Sequence, residues 1–248
     1  MNPINSKVYF TQVVVTLLCF STGSLGGILP DYIHVCPSLT SECLKKTIQE
    51  TIPEFVKGIP ELGIVPIDPI THDYIAIELP GGLKLELFNG RITGIRKCIV
   101  DNVKYENKQA DIDIHCHLLI KGRYKAHGNI LIVQINGDGD AKLKATNVTI
   151  SAKLKFEDQE RNGTVYHEIK DISVKHKFVD RVVFDLTNLF KGSPEISDAV
   201  LHFLNDNWKV VAEEFGDPIV NTIVNYVVDN IKRFFKGIPK DQIIVNNK

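Results

Sequence analysis

His115 and His117 are the residues whose types and spacing come closest to a metal site. Alternate residues of a strand point to the same face, so the two imidazoles would lie side by side while Cys116 points away. A zinc site takes three or four protein ligands, and the sequence places no further ligand near this pair. We therefore predict no metal site and no other cofactor.

The segment NGDGD at 136–140 resembles the beginning of a calcium-binding loop. An EF-hand requires glycine at its sixth position and glutamate at its twelfth. Ala141 and Asn147 occupy those two positions, so the segment is interpreted as a turn.

Enzyme motifs are missing from the rest of the sequence. It contains no G-x-S-x-G nucleophile elbow, no phosphate-binding loop and no G-x-G-x-x-G dinucleotide fingerprint. A triad of serine, histidine and an acid can assemble without a motif, so a secreted esterase remains an alternative. We predict that the protein is not an enzyme.

Four cysteines outside the first segment of the chain could form two disulfides, with three possible pairings. Local spacing favours Cys36 with Cys43, just before the first helix, and Cys98 with Cys116. The second pair would face each other across a hairpin centred on Asn107. An even number of cysteines is typical of proteins folded in an oxidising compartment.

The first 26 residues have the features of a secretory signal peptide. An apolar run at 13–20, which includes Cys19, is followed by small residues, and cleavage is predicted between positions 23 and 26. The run is too short to span a membrane as an anchor. The remaining chain, 27–248, is predicted to form one domain.

The charge balance and two glycosylation sequons fit an extracellular protein. Lysine and arginine number 29 and acidic residues 30, which excludes a strongly basic protein that binds nucleic acid. Asn147 and Asn162 each begin an N-x-T sequon and are predicted glycosylation sites.

Hydrophobic periodicity predicts an α+β fold. A first helix is expected to begin near Thr40 or Ser41, and residues from about 64 to 186 alternate with the period of strands. Asn-Gly pairs at 89–90, 136–137 and 162–163 predict hairpin turns between those strands. An apolar helical stripe continues from Val200 to Phe234 and is expected to kink or split at Asp217-Pro218.

The phrase Lys-Gly-Ile-Pro occurs twice, at 57–60 and 236–239. In both copies it follows a predicted helix. Glycine favours the left-handed conformation that ends helices, and the proline two residues later prevents the helix from resuming. We predict a helix stop used twice, with Gly58 and Gly237 as boundary residues.

Three ordered segments of the chain resemble the insect takeout and juvenile hormone-binding protein family. They are CPSLTSECLKKTIQETIPEFVKGIPELGIVPIDPI at 36–70, GRYKAHGNILIVQINGDGDAKL at 122–143, and LTNLFKGSPEISDAVLHFLNDNWKVVAEEFGDPIVNTIV at 186–224. The resemblance extends over nearly all of the chain that follows the leader.

The resemblance implies an elongated single domain similar to half of the tubular lipid-binding proteins. A curved antiparallel sheet would wrap a long C-terminal helix, with a short N-terminal helix beside it. It also implies a carrier secreted into a haemolymph-like fluid, with an apolar tunnel for one terpenoid or fatty-acid-like ligand. No nucleic acid partner and no integral membrane association are expected.

Candidate tunnel residues are apolar side chains of one strand and of the long helix, because hydrophobic burial alone can hold such a ligand. They are Val148, Ile150, Leu154, Phe156, Trp208, Val211 and Phe215, and each could instead be plain core. Tyr124 could offer its hydroxyl to the polar end of a ligand. The alternative function is an interaction protein that binds a receptor or a membrane through its surface, with bulky side chains filling any tunnel.

Overall fold

The computed structural model describes residues 27–244, and the predicted leader at 1–26 lies outside them. The elements in chain order are α1 Ser41–Phe55, β1 Ile70–Leu79, β2 Leu83–Thr93, β3 Ile99–Glu106, β4 Gln109–Ile130, β5 Val133–Arg161, β6 Thr164–Phe178, β7 Val182–Leu186, α2 Pro194–Asp206, α3 Trp208–Gly237 and α4 Lys240–Ile243. Short 3-10 turns occupy Pro60–Leu62, Pro80–Gly82 and Ile95–Lys97.

The strands form one seven-stranded antiparallel sheet in the order β1-β2-β4-β5-β6, with β3 added to β4 and β7 to β5. β4 has 22 residues and β5 has 29, so each is long enough to serve two neighbours along one edge. β4 pairs with β3 through its first half and with β2 through its second half. The predicted α+β architecture, with a curved sheet around a long C-terminal helix, is confirmed.

The Asn-Gly pairs have three different roles. Asn162-Gly163 forms the predicted two-residue turn between β5 and β6, with φ of 51° and 77°. Asn89-Gly90 lies instead at a register shift inside β2, where an extra residue makes a bulge. Residues 136–140, including the third pair, are paired with β4 inside β5, so the predicted turn there is wrong. A bulge uses a residue with positive φ as readily as a turn does.

Both predicted disulfides are present, Cys36 with Cys43 and Cys98 with Cys116. The hairpin that carries the second one turns at Asn107-Lys108, so its centre lies half a residue later than expected. A register shift next to Val100 compensates for this difference. The second pair therefore lies face to face, with a Cα–Cα distance of 4.4 Å.

The C-terminal helical segment is broken at Asn207, eleven residues before the predicted site. Asn207 has φ −102° and ψ 24°, and its side-chain amide donates to the Phe203 carbonyl at 2.9 Å. Helix α3 then runs through Pro218 as one element, so the predicted split there is wrong. Buried Phe215 and Val220 flank the proline and pack against the core, which offsets the missing backbone hydrogen bond.

The two Lys-Gly-Ile-Pro phrases meet in space at one end of α3. Ile59 and Ile238 are buried in one cluster, and Leu62 packs against it. Gly58 has φ +90°, as expected for a helix stop. Gly237 does not have a positive φ, and it is the last residue of α3. A Cβ at this position would lie 2.8 Å from the Leu62 side chain. The second glycine is therefore required by close packing and not by its backbone conformation.

Candidate functional site

A bulge in the middle of β5 determines which side chains line the interior. The register shifts by one residue between Cys116 and Leu118 of β4, and Thr146-Asn147 is the extra step in β5. Asn147 has φ +50°, and its backbone N–H donates to His117 Nδ1 at 3.0 Å. Because the bulge reverses the alternation, Ala145 before it and Val148 after it both face inward.

Helix α3 covers this part of the sheet with one apolar face. Large side chains alternate along it with Ala212 and Gly216, which let the helix approach closely. A Cβ on Gly216 would lie 2.8 Å from the ring of Phe178 on β6. The helix is therefore fitted to the sheet by its small residues as well as by its large ones.

An apolar cavity of about 80 Å³, here called the central cavity, lies between α3 and the sheet. Its lining comes from four strands and one helix and contains no charged side chain: Leu118, Ile120, Leu143, Ala145, Val148, Phe178, Val182, Phe184, Val211, Ala212, Phe215, Gly216, Ile219, Val220 and Ile223. Such a lining can hold a hydrocarbon chain and offers nothing for acid–base or nucleophilic chemistry.

The sequence-predicted candidates divide between several places. Val148, Val211 and Phe215 line the central cavity. The structure places the other apolar candidates elsewhere: Ile150 and Trp208 pack against the surrounding core, while Leu154 and Phe156 form a separate cluster near the end of α3.

Tyr124 is buried, and its hydroxyl donates to the Thr187 carbonyl at 2.8 Å. Burial, with a smaller contribution from the Asp138 carboxylate, raises the pKa of Tyr124 to about 12. The ring packs over Gly137, where a Cβ would lie 2.7 Å from the hydroxyl oxygen. The hydroxyl is thus a neutral donor that ties β4 to the segment following β7.

Sequence reasoning did not find the cavity residues of β4, β6 and β7. Phe178, Val182 and Phe184 lie at the end of β6 and in a five-residue strand, where alternation is too short to reveal a face. Leu118 follows the bulge region, so the direction in which its side chain points depends on the register between β4 and β5. The sequence offers one signal of the cavity's position: Ala212 and Gly216 lie beside the apolar stripe of α3, and small residues there indicate where the helix approaches the sheet.

The two histidines considered for a metal site have other partners. His115 Nδ1 lies 2.8 Å from Asp101 Oδ2, and His117 Nδ1 accepts the backbone hydrogen bond from Asn147. Within residues 27–244, no group of three or more potential ligands is placed to hold a metal ion.

A second group of titratable residues, here called the His167 cluster, joins the end of the chain to the sheet. It consists of Tyr105, Lys108, Asp158, His167 and Lys240. The histidine is 2% exposed, its Nδ1 lies 2.7 Å from Asp158 Oδ1, and its Nε2 lies 2.8 Å from the Tyr105 hydroxyl. Asp158 Oδ2 accepts from Lys108 at 2.7 Å and from Lys240 at 2.9 Å.

Protonation in the His167 cluster is set by burial and hydrogen bonding. Burial lowers the pKa of His167 and outweighs the opposing effect of Asp158. For Asp158, burial opposes ionisation, but hydrogen bonds from Lys108, Lys240 and His167 outweigh it and hold its pKa far below the usual range. His167 is therefore neutral in the folded protein, donating from Nδ1 to Asp158 and accepting from Tyr105.

We expect the free energy of unfolding to fall as the pH drops below about 6.5. The unfolded chain binds a proton at His167 near that ordinary pKa, whereas the folded chain resists it. The free energy of unfolding therefore falls with decreasing pH, by at most about 1.4 kcal/mol per pH unit for this group. Urea unfolding between pH 5 and 8 measures this pH dependence. In the His167→Gln variant, the free energy of unfolding should change less with pH than in the wild type. Equal slopes in both proteins would contradict this assignment.

The polar contacts of α3 with the rest of the molecule are concentrated near its C-terminal end. The Asn230 amide oxygen accepts from the Val65 backbone at 2.9 Å, and Arg233 donates to the Gly63 carbonyl. Along the cavity, Asp217 Oδ1 lies 3.2 Å from His176 Nε2 of β6. The half of α3 over the cavity is therefore held chiefly by apolar contacts.

An open groove of about 400 Å³ separates β6 from α3 beyond the contact between Asp217 and His176. Ile172, Val174, Val224 and Val228 line it on the inside, and exposed polar residues of α3 form its rim. The helix is thus not sealed against the edge of the sheet along its whole length.

The two sequons have different surroundings. Asn162 is exposed at the tip of the β5–β6 hairpin, while Asn147 is half-buried in the bulge of β5. Of the two predicted glycosylation sites, Asn162 has the more accessible side chain.

A curved antiparallel sheet that encloses an apolar cavity under a long helix defines a class of binding folds. Among residues 27–244, no helix is long and apolar enough to cross a bilayer. The structure is similar to the crystal structure of Takeout 1 from Epiphyas postvittana, with 37% identity and a TM-score of 0.78 over 82% of this chain and 95% of that one.

Two curated relatives carry the name circadian clock-controlled protein daywake. The protein from Drosophila melanogaster is 24% identical and that from Drosophila yakuba 25% identical, each over 86% of this chain and 87% of the relative. The family model described as haemolymph juvenile hormone binding protein matches residues 14–245. The chain belongs to that family.

Proposed function

We propose that this protein is a secreted carrier that binds one small, elongated hydrophobic ligand between α3 and the sheet. Terpenoids related to juvenile hormone, or fatty-acid-like chains, are the ligand classes that suit an apolar lining without charge. The observation that carries the proposal is the central cavity, whose walls are apolar on both the sheet and the helix. Membership of the haemolymph juvenile hormone binding protein family supports it.

Ligand entry requires the central cavity to grow. Its volume of about 80 Å³ is below the roughly 300–1,000 Å³ that small-molecule sites usually have. The half of α3 over the cavity has the freedom to move outward, because its polar anchors lie near the other end. We infer that ligand binding lifts this half of α3 away from the end of β6 and from β7.

His176 and Asp217 are our candidates for the polar contact of the ligand. They lie at the margin of the cavity, where Phe178 contacts the ring of His176, with ring centroids 5.3 Å apart. A ligand with a hydroxyl, ester or carboxyl group at one end could replace the contact between these two side chains while its apolar part lies under α3. Val148, Val211 and Phe215 are the predicted apolar contacts.

The leader, the disulfides and the sequons support secretion. We propose that residues 1–26 are a signal peptide, that the domain begins after them, and that Asn162 carries a glycan. The two disulfides are those expected of a protein folded in an oxidising compartment. The proposed carrier is not an enzyme.

A second candidate function is favoured by the small volume of the central cavity. If its side chains fill the interior permanently, the fold serves as a surface for a receptor or a membrane and carries no ligand. The two functions differ in whether purified protein contains a stoichiometric lipid.

The carrier function is tested by filling the cavity. Ala145→Phe is expected to reduce ligand affinity by about 100-fold, since the new ring takes the space that the ligand needs, while overpacking costs about 1–3 kcal/mol of stability. Native mass spectrometry of the secreted protein identifies the ligand, and thermal shift across terpenoids and fatty acids measures affinity.

Two further variants serve as controls for this test. Val183→Phe adds the same ring on the outer face of β7, and its binding should equal that of the wild type. Val148→Ala enlarges the cavity and should retain binding even if Ala145→Phe is poorly folded. Wild-type protein that contains no lipid and shows no thermal shift with any ligand would contradict the carrier function.

A further inference from the structure

The hairpin between β4 and β5 ends in two exposed apolar residues. Leu131 and Ile132 are the two central residues of the turn, and they are 37% and 94% exposed. Leu131 has φ +54°, a conformation that two-residue hairpins normally assign to glycine, asparagine or aspartate. Leu131 is therefore an unfavourable residue type for its backbone conformation, and Ile132 leaves nearly all of its apolar side chain in water, which together indicate a role outside the fold.

The end of the hairpin itself carries no charge, and Lys191, whose backbone donates to the Asn136 carbonyl, lies beside its base. The stretch 126–137 contains no lysine, arginine, aspartate or glutamate, in a chain of which 24% is charged. The neighbouring loop Pro80–Gly82 is also uncharged and packs against the hairpin, since a Cβ on Gly128 would lie 2.6 Å from the Gly82 carbonyl oxygen. Two adjacent loops thus form a neutral surface with an apolar point.

The tip projects beyond the strands beside it. β2 pairs with β4 as far as His127, and the Pro80–Gly82 loop continues beside Gly128 and Asn129, where a Cβ on Gly81 would lie 3.5 Å from the Asn129 carbonyl oxygen. Leu131 extends two residues beyond Asn129. At a rise of about 3.3 Å per residue this corresponds to roughly 7 Å. Ile130 and Val133 pair across the turn, so the hairpin supports itself at that distance.

We propose that the Leu131-Ile132 tip is a docking element that inserts into the surface of a neutral lipid bilayer. A projection of this length matches the roughly 5–10 Å by which interfacial apolar groups enter the boundary between headgroups and acyl chains. No charged side chain near the tip has to be desolvated, and the remaining exposed groups on the hairpin are amides and an imidazole, which suit the headgroup layer.

A protein partner fits this surface less well. Two side chains bury far less than the roughly 1,200–2,000 Å² of a specific protein interface. The formal net charge of the chain is −1, so general attraction to anionic lipids is not available either. The tip requires only apolar burial, which a zwitterionic bilayer supplies. This docking site is separate from the central cavity, and its test does not depend on the identity of any carried ligand.

Co-flotation of the full mature chain with phosphatidylcholine vesicles tests the proposal. The wild type is expected to float with the vesicles equally at low and high salt. In the double variant Leu131→Gly/Ile132→Ser the turn has its preferred residue types, so its melting temperature should be no lower than that of the wild type. Its partition coefficient should fall at least tenfold.

The matched control is Val179→Ser, which removes another exposed apolar residue from a loop and should float like the wild type. A wild type that does not float, or a double variant that floats equally well, would overturn the proposal. So would flotation only with anionic vesicles at low salt, which would indicate a charged face. A dimer that the double variant dissociates, seen by sedimentation, would show instead that the tip contacts a second copy.

Discussion

Gly58→Val is expected to lower the free energy of unfolding by about 4 kcal/mol. A non-glycine residue at φ +90° is strained by roughly 1–3 kcal/mol, and a β-branched side chain is among the least tolerant. A Cβ there would also lie 2.8 Å from the Ile64 carbonyl oxygen, in backbone that cannot move aside as a side chain can. For a domain of this size the melting temperature should drop by roughly 10 °C, which calorimetry measures.

Gly192 offers a matched control that separates backbone strain from the steric clash of the new Cβ. It also has positive φ, +83°, but a Cβ there would meet nothing within 4 Å. Gly192→Ala therefore reports backbone strain alone, whereas Gly58→Ala reports strain together with the close approach. Gly58→Ala should be the more destabilising of the two. If Gly58→Val left stability unchanged, the helix stop after α1 would not depend on this glycine.

Asp158→Asn is expected to destabilise the protein by about 3 kcal/mol at neutral pH. The carboxylate is 26% exposed and is the shared partner of Lys108, Lys240 and His167. Asparagine keeps only one acceptor oxygen, which cannot serve His167 and both lysines, and its neutral amide leaves the ammonium groups of Lys108 and Lys240 without their counter-ion. Breaking a buried charged pair costs about 3–5 kcal/mol. We place the value at the lower end because the group is partly solvated.

The loss should appear first at the end of the chain. Lys240 belongs to α4, which is attached to the sheet through Asp158, so limited proteolysis should cut the variant near α4 before the rest of the domain. Asp171→Asn is the matched control: its partner is Lys155, and both side chains are more than half exposed, so its loss should leave stability nearly unchanged. Equal stability in the two variants would show that the His167 cluster is not an anchor.

Local features of the fold were predictable from the sequence. The period of two in β5, the period of the helical stripe, and the two disulfides all depend on residues close to one another along the chain. The same holds for the turn at Asn162-Gly163, where both residues adopt positive φ as their types predict. The sequence pattern of three ordered segments also identified the family correctly.

The candidate site was only partly predictable. Val148, Val211 and Phe215 were found because each belongs to a long regular element, while Leu154 and Phe156 were assigned to the same site and lie in another cluster. A continuous alternation cannot show where along a 29-residue strand the helix crosses. The cavity residues of short β7 had no pattern from which to predict them.

The sequence by itself determined the element types and the family and favoured the correct disulfide pairs, because these follow from near neighbours and from residue type. The tertiary structure alone decided that Asn147 reverses the facing of β5, that the helix breaks at Asn207 and continues through Pro218, and that the His167 cluster meets α4. The facing of β5 and the position of α4 depend on contacts between segments far apart in the chain, where a shift of one residue exchanges the inner and outer faces of a strand. The continuation through Pro218 depends on the packing of Phe215 and Val220 against the core. Only packing selects between such registers, because the burial of a whole face differs while the local preferences of the residues stay the same.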